Sequence, residues 1–472
     1  MKPARMPVSV KLSDLSQYDG VFTASKEVHR RVWKLAWPAV TTMLLQTANM
    51  LLDTFFVGHT PQGVSALAAA GAGGQVNFLL VSIAMGISTG ATALVARASG
   101  AGERREAERA ASQSITLSIL AGAVLGAIVF MVRSPVSHWL LGGSADARAA
   151  HLCSQYLGVA LLASAPNFLI NALVGIFRGI GDTHTPMRIQ AVMILAHISM
   201  DWLLIFGHCH FPRMGIVGAA AALALSISLG TALYVIALAT LTPLNAALKW
   251  KNLTPIPSMY WRILRIGIPA SIKMVFRTLS MMAFTGMLAL AGQAAGVAAL
   301  VVGSRAEAVA YMPGFGFSIA AAAMVGQSLG ANKPDLADRY ARAACLQGML
   351  IMSVMGTLFF LFAHPFAALF SSDHEVTRMA ADYLRINAFT EPFMAMGMIL
   401  TGALDGAGDT LRPTAITLFT LCIIRLPLAW FLIFPLHLLA YGAWLAMAVS
   451  TILSGVLTWR VFHQGKWKLA RV

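Results

Sequence analysis

Apolar runs of about twenty residues recur along this chain, each long enough to cross a hydrocarbon core about 30 Å thick. That recurrence leaves few folds open. Backbone in lipid must satisfy its own hydrogen bonds, so spanning segments are helices or a closed barrel. A barrel would show alternating segments of about ten residues, and the runs here do not alternate. Only 11% of the residues are charged and 58% are hydrophobic, whereas a soluble chain is about a quarter charged. The expectation is an all-α polytopic membrane protein with twelve transmembrane helices. They are placed roughly over 33–57, 64–94, 110–132, 151–177, 188–207, 214–242, 262–289, 297–326, 341–364, 378–403, 413–436 and 440–463.

The net charge of +15 would suggest a nucleic-acid partner in a soluble protein. Its distribution suggests a membrane orientation instead. With the N-terminus inside, 25 Lys and Arg fall in inner segments and five in outer ones. That bias predicts two cytoplasmic termini in a plasma membrane, the bacterial inner membrane, with the lipid bilayer as partner and no nucleic acid. Residues 1–30 hold no short apolar region followed by a cleavage site, so no signal peptide is expected. The four cysteines (Cys153, Cys209, Cys345, Cys422) have no metal-ligand spacing and read as small core residues.

The chain repeats itself. Arg178-Gly179-Ile180-Gly181-Asp182-Thr183 is matched 227 residues later by Asp405-Gly406-Ala407-Gly408-Asp409-Thr410, each followed by a proline. Tyr156-Leu157 matches Tyr383-Leu384 at the same separation, and Pro38-Ala39 matches Pro269-Ala270. Gly100-Ala101 matches Gly330-Ala331. Six spans per repeat bring both halves in from the same side, so the predicted pseudo-twofold axis runs along the membrane normal. The expected divisions are an N-terminal segment (1–32), a six-helix bundle (33–244), a linker (245–261), a second six-helix bundle (262–464) and a tail (465–472). The paired GxGD sequences read as loop turns and helix caps, with Gly for unusual φ and Asp and Thr for the next helix. An intramembrane protease is therefore not expected, and the protein is not read as an enzyme.

These features together resemble the multidrug and toxic compound extrusion (MATE) family, over nearly the full length. Trp37-Pro38 opens the first span and Leu52-Asp53-Thr54 lies near its end. Asp201 sits in the fifth span, and Gly215-Ile216-Val217-Gly218-Ala219-Ala220 opens the sixth. The resemblance implies secondary active antiport: export of organic compounds, typically cationic and amphipathic xenobiotics, driven by protons or sodium. Small-molecule organic substrates are the expected partners, the protein is expected to act as a monomer, and no cofactor or metal is expected.

Ionisable groups at membrane depth are functional-site candidates. Asp53 lies about 30 Å up its span and Asp201 about 20 Å up its own, at 1.5 Å per residue. His197 precedes Asp201 by one turn, so the three form the candidate cation-coupling group. His197 could take a proton or pair with Asp201; equally, it could donate to a backbone carbonyl. Many family members have asparagine there, and some have threonine where Leu223 stands, so protons are favoured over sodium as the coupling ion. Pro38 is the candidate helix bend. The second bundle is basic instead. Lys273, Arg277, Arg305 and Arg425 share it with Glu307 and Glu391. Two readings stand side by side: Arg305 or Arg425 paired with Glu391 or Glu307, or a basic face for an anionic, even lipid-linked, substrate. Met312, Met324, Met394, Met396 and Met398 are expected in the cavity-forming spans. Trp33, Trp37, Trp139, Tyr260, Trp261 and Trp467 are expected as interfacial anchors.

Overall fold

The structure is a computed structural model that describes residues 21–58, 63–141, 147–208, 211–249 and 252–470. It contains helices and no strand among those residues. In the first half they are α1 (Val21–Gly58), α2 (Gly63–Ala101), α3 (Arg104–Met131), α4 (Arg133–Leu140), α5 (Ala147–Ala160), α6 (Ser164–Gly179), α7 (His184–Phe206) and α8 (Ile216–Leu241). The second half has α9 (Pro257–Leu290), α10 (Ala294–Gly330), α11 (Pro334–Leu361), α12 (Ala363–Ala368), α13 (His374–Ala388), α14 (Glu391–Gly406), α15 (Leu411–Leu418), α16 (Leu426–Ile433) and α17 (Leu439–His463). Joining α5 to α6, α13 to α14 and α15 to α16 gives twelve membrane-length rods, six in each half. Ten of these helical segments are apolar enough to cross a membrane by composition alone. The first and tenth rods are not among them; α13 and α14 are only 15 and 16 residues long taken singly.

The two halves are not sealed from each other. Val28, Val32 and Ala36, at the start of α1, are buried with Phe317, Ala341 and Leu400 of the second half. Reciprocally, Met259, Ile263 and Ile266 of α9 join the core of the first half. The bundles thus exchange the first turns of their first helices, which a division at residues 245–261 does not convey.

The halves are fastened at one end, here called the linker end. There α2 and α10 cross so closely that a Cβ on Gly100 would lie 1.9 Å from the Gln327 carbonyl oxygen, and one on Gly330 would lie 2.0 Å from that of Arg97. The equivalence of these contacts is what a pseudo-twofold axis through the crossing produces. Gln327 Nε2 donates to Gly179 O at 2.9 Å. The linker is strapped onto α3 by the fully buried Gln113, whose Nε2 donates to Asn252 O and Thr254 O while its Oε1 accepts from Ile256 N at 2.8 Å. Glu106 of α3 pairs with Arg262 at 2.6 Å, a second tie between α3 and the start of α9.

The GxGD sequences are loop turns. Gly181 and Gly408 have φ of 83° and 87°, the left-handed region that glycine enters without steric cost. Asp182 Oδ1 accepts from Thr185 N at 2.9 Å, capping α7. Of the predicted interfacial anchors, Trp33, Trp37, Trp139 and Trp261 are exposed, but Trp467 is wholly buried. It stacks on Phe462 at 4.9 Å and donates to Phe462 O at 2.8 Å. The tail folds back under the linker end, where Arg97 Nη1 donates to Ala470 O at 2.6 Å. Cys153 and Cys345 are buried and Cys422 half-buried; Cys209 lies outside the described residues.

Candidate functional site

Between the halves, beyond the fastened end, lies a cavity of about 1330 Å³. Its lining runs from Phe55 and Phe370 at the far end to Arg178 and Asp405 near the linker end. Met312, Met394 and Met398 line it as expected. Met324 does not; it is buried in the second-half core, with Met396 packed against that core.

In the first half, α7 and α1 bring together the three predicted groups, of which His197 lines the cavity. Asp53, His197 and Asp201 each offer a polar atom within 4.8 Å of the others. Asp201 and His197 are buried, at 1% and 3% exposure, and Asp53 is half-buried. His197 Nδ1 is 3.0 Å from Asn49 Oδ1. An amide oxygen only accepts, so Nδ1 carries the proton and Nε2 of the neutral ring presents a lone pair. That lone pair faces Asp201 Oδ2 at 3.6 Å. Among the described residues, neither Nε2 nor Asp201 Oδ1 has a hydrogen-bond partner. His197 Nε2 and Asp201 Oδ2 are thus placed to share a proton. His197 therefore turns to Asn49 and Asp201, not to a backbone carbonyl. Sequence reasoning missed Asn49, although it lies one turn before Asp53 in the same apolar run and supplies an asparagine from α1 opposite His197. Leu223 lines the cavity as an apolar group.

Pro38 lies inside α1, which continues through it as helix. Pro38 has no amide proton, so the Lys34 carbonyl loses its helical donor. Just beyond, Val40 wedges against Gly316 of α10, where a Cβ on the glycine would come within 2.3 Å of Val40 Cγ2. One helix thus carries Asn49 and Asp53 in one half and leans on the other half near its proline.

The second-half wall differs from the expected ion pairs. Glu307 accepts from Tyr383 Oη, not from an arginine. Arg425 donates through Nε to Ser450 Oγ at 2.7 Å and through Nη2 to Thr451 Oγ1 at 3.1 Å. Glu391 is buried at 1% exposure, neither carboxylate oxygen is hydrogen-bonded among the described residues, and it does not line the cavity. Arg305 and Arg277 are exposed on the cavity wall and form no ion pair among the described residues. Arg305 and Glu307 stand two apart on α10 and so do not face each other, Arg425 is turned to Ser450 and Thr451, and Glu391 is buried away from the cavity. Among the described residues the ion pair of this wall is Lys273 with Asp405, Nζ to Oδ2 at 2.8 Å. A signal for it was present: Asp405 stands where the first repeat has Arg178, a charge reversal inside an otherwise matching motif.

The fold and site define a multi-pass membrane transporter: two similar helical halves around a cavity that one chain encloses. A family model described as MatE matches residues 38–203 and again 269–431, each match beginning at the equivalent prolines. The chain therefore belongs to the MATE family and is an efflux transporter, not an enzyme. It is 30% identical over 449 residues to a protein of Thermotoga maritima named "Probable multidrug resistance protein NorM", covering 94% of each chain. It is 27% identical to "Probable multidrug resistance protein YoeA" of Bacillus subtilis, covering 92% of this chain and 93% of that one. Among solved structures, the Vibrio cholerae MATE transporter VcmN superposes with a TM-score of 0.85 at 23% identity, covering 94% of this chain and 98% of that one.

Proposed function

We propose that the protein exports amphipathic organic compounds across a plasma membrane in exchange for protons, by alternating access of the central cavity. The observation that carries the proton assignment is the facing pair of acceptors, His197 Nε2 and Asp201 Oδ2, 3.6 Å apart with Nδ1 committed to Asn49. A proton entering between them turns repulsion into a hydrogen bond. The nearby Asp53 carboxylate is a further acceptor, and a charge added to or removed from this buried group is felt by all its members.

The orientation follows from the charge bias, which puts the fastened linker end in the cytoplasm and the cavity on the outer side. Asn49 and Asp53 belong to α1 while His197 and Asp201 belong to α7. A change of protonation therefore alters how α1 sits on α7, and α1 transmits that shift to α10 through Val40 and Gly316. Coupling requires proton and substrate to bind the two states unequally. The repeated resistance names among relatives support xenobiotics among the substrates.

The test is dye efflux from proteoliposomes with proton and sodium gradients imposed separately. The wild-type protein should respond to the proton gradient, and Asp53→Asn should lose that response while still reaching the membrane. Equal efflux under a sodium gradient alone, or full efflux by Asp53→Asn, would overturn the assignment.

A further inference from the structure

The charge of the cavity bears on what fills it, and this inference rests on the export reading above. Five basic side chains line the cavity (Arg178, Lys273, Arg277, Arg305 and Arg425) against two carboxylates, Glu307 and Asp405. Asp405 is paired with Lys273 at 2.8 Å, and Glu307, which accepts from the neutral Tyr383 Oη, can offset only one of the remaining cations. Arg425 is held by two hydroxyls, which orient its guanidinium without neutralising it. It closes the stretch Phe419–Arg425, where the helix widens into a π-helical turn just before Pro427. Such turns are uncommon and recur at functional sites. Arg277 and Arg425 are near enough for their charges to act on Glu307. Arg277 and Arg305 have no carboxylate within salt-bridge distance among the described residues and are exposed on the cavity wall.

Uncompensated positive charge between membrane-spanning helices is costly unless something arrives to balance it. A cationic head group would be repelled here. The guanidinium fork suits the oxygens of a carboxylate, sulfonate or phosphate, which it binds through paired hydrogen bonds. Beside the arginines the wall is apolar and adaptable, with Met274, Met312, Met398, Phe315 and Phe393, side chains that accept varied shapes. The volume of about 1330 Å³ exceeds that of a usual drug-sized pocket, about 300–1,000 Å³.

We propose that the cavity takes amphipathic molecules bearing an anionic group, with that group held at Arg277, Arg305 and Arg425 and the apolar body against the methionine-rich wall. The anion can belong to a soluble compound or to a lipid head group.

The experiment uses the full-length protein in phosphatidylcholine liposomes under an imposed proton gradient, with three probes. They are anilinonaphthalene sulfonate, ethidium, and fluorescent phosphatidylglycerol read by dithionite quenching. The expected result is gradient-dependent movement of the sulfonate that falls at least about tenfold in the Arg277→Gln/Arg305→Gln double variant. Movement of the labelled lipid instead, lost in the same variant, supports the proposal with a lipid source. Movement of ethidium alone overturns the proposal and leaves proton-driven export standing. Movement of the sulfonate at the wild-type rate in the double variant overturns the assignment to these arginines. If no probe responds to the gradient, the export reading itself fails and this inference falls with it.

Discussion

His197 Nε2 faces Asp201 Oδ2 at 3.6 Å across one turn of α7, with no hydrogen-bond partner for that ring nitrogen among the described residues and Nδ1 bonded to Asn49. The geometry makes His197 a participant in proton binding. Replacing it with asparagine keeps a polar group that can bond Asn49 but removes the imidazole. Proton-gradient-driven efflux should fall by about 10²-fold, within the range seen when a positioned acid–base group is lost. The flattening of efflux against external pH, measured in the same vesicles, separates this role from a packing role.

Asp53 and Asp201 bring two carboxyl groups close together, Asp201 buried and Asp53 half-buried, and ionising both would be repulsive. Removing one charge relieves repulsion, so Asp201→Asn should leave the melting temperature unchanged or raise it while abolishing gradient-driven transport. Thermal unfolding in detergent, with efflux on the same preparation, tests both halves of the statement. A marked loss of stability would make Asp201 a structural group.

Lys273 and Asp405 form a nearly buried pair between α9 and α14, each side chain about 15% exposed or less. Breaking such a pair by removing one partner costs about 3–5 kcal/mol, an upper range for a pair that still touches the cavity. Asp405→Leu should therefore destabilise strongly, since it also leaves Lys273 uncompensated. The double change Lys273→Met/Asp405→Leu should recover most of the loss. A double variant as unstable as the sum of the singles would show that the two do not act as a pair.

Gly100 and Gly330 hold the crossing of α2 and α10 at the linker end. A methyl group at Gly330 would lie 2.0 Å from the Arg97 carbonyl oxygen, and backbone there has no flexible side chain to yield. Gly330→Ala should cost about 1–3 kcal/mol. It should also favour separation of the halves at this end, which protease or thiol access to residues near the crossing would report.

Trp467 fills a buried site under the second half. Trp467→Ala should cost about 3–5 kcal/mol, whereas Trp139→Ala, at a site 80% exposed, should leave thermal stability nearly unchanged. Equal effects of the two would contradict the burial described.

Much of this molecule is determined locally. The twelve rods, their pairing into two repeats, the glycine turns at Gly181 and Gly408 and the lone acids Asp53 and Asp201 are legible in the sequence. Apolar run length, glycine conformational freedom and the cost of a charge in hydrocarbon act residue by residue. The same reasoning found His197 beside Asp201, because positions four apart share a helix face.

Partners across helices were a different matter. Asn49 for His197, Asp405 for Lys273, Tyr383 for Glu307, and Ser450 with Thr451 for Arg425 were all decided by the tertiary structure. So was the exchange of helix starts between the halves, and the burial of Trp467. A helix fixes which residues share its own face, but not its rotation or height against its neighbours. Those are set by close-packed contacts such as Gly100 on Gln327 and Val40 on Gly316. The sequence by itself therefore determined where charge is buried. Only the packing of one helix on another decided which of those charges are balanced, and left Arg277 and Arg305 facing an open cavity.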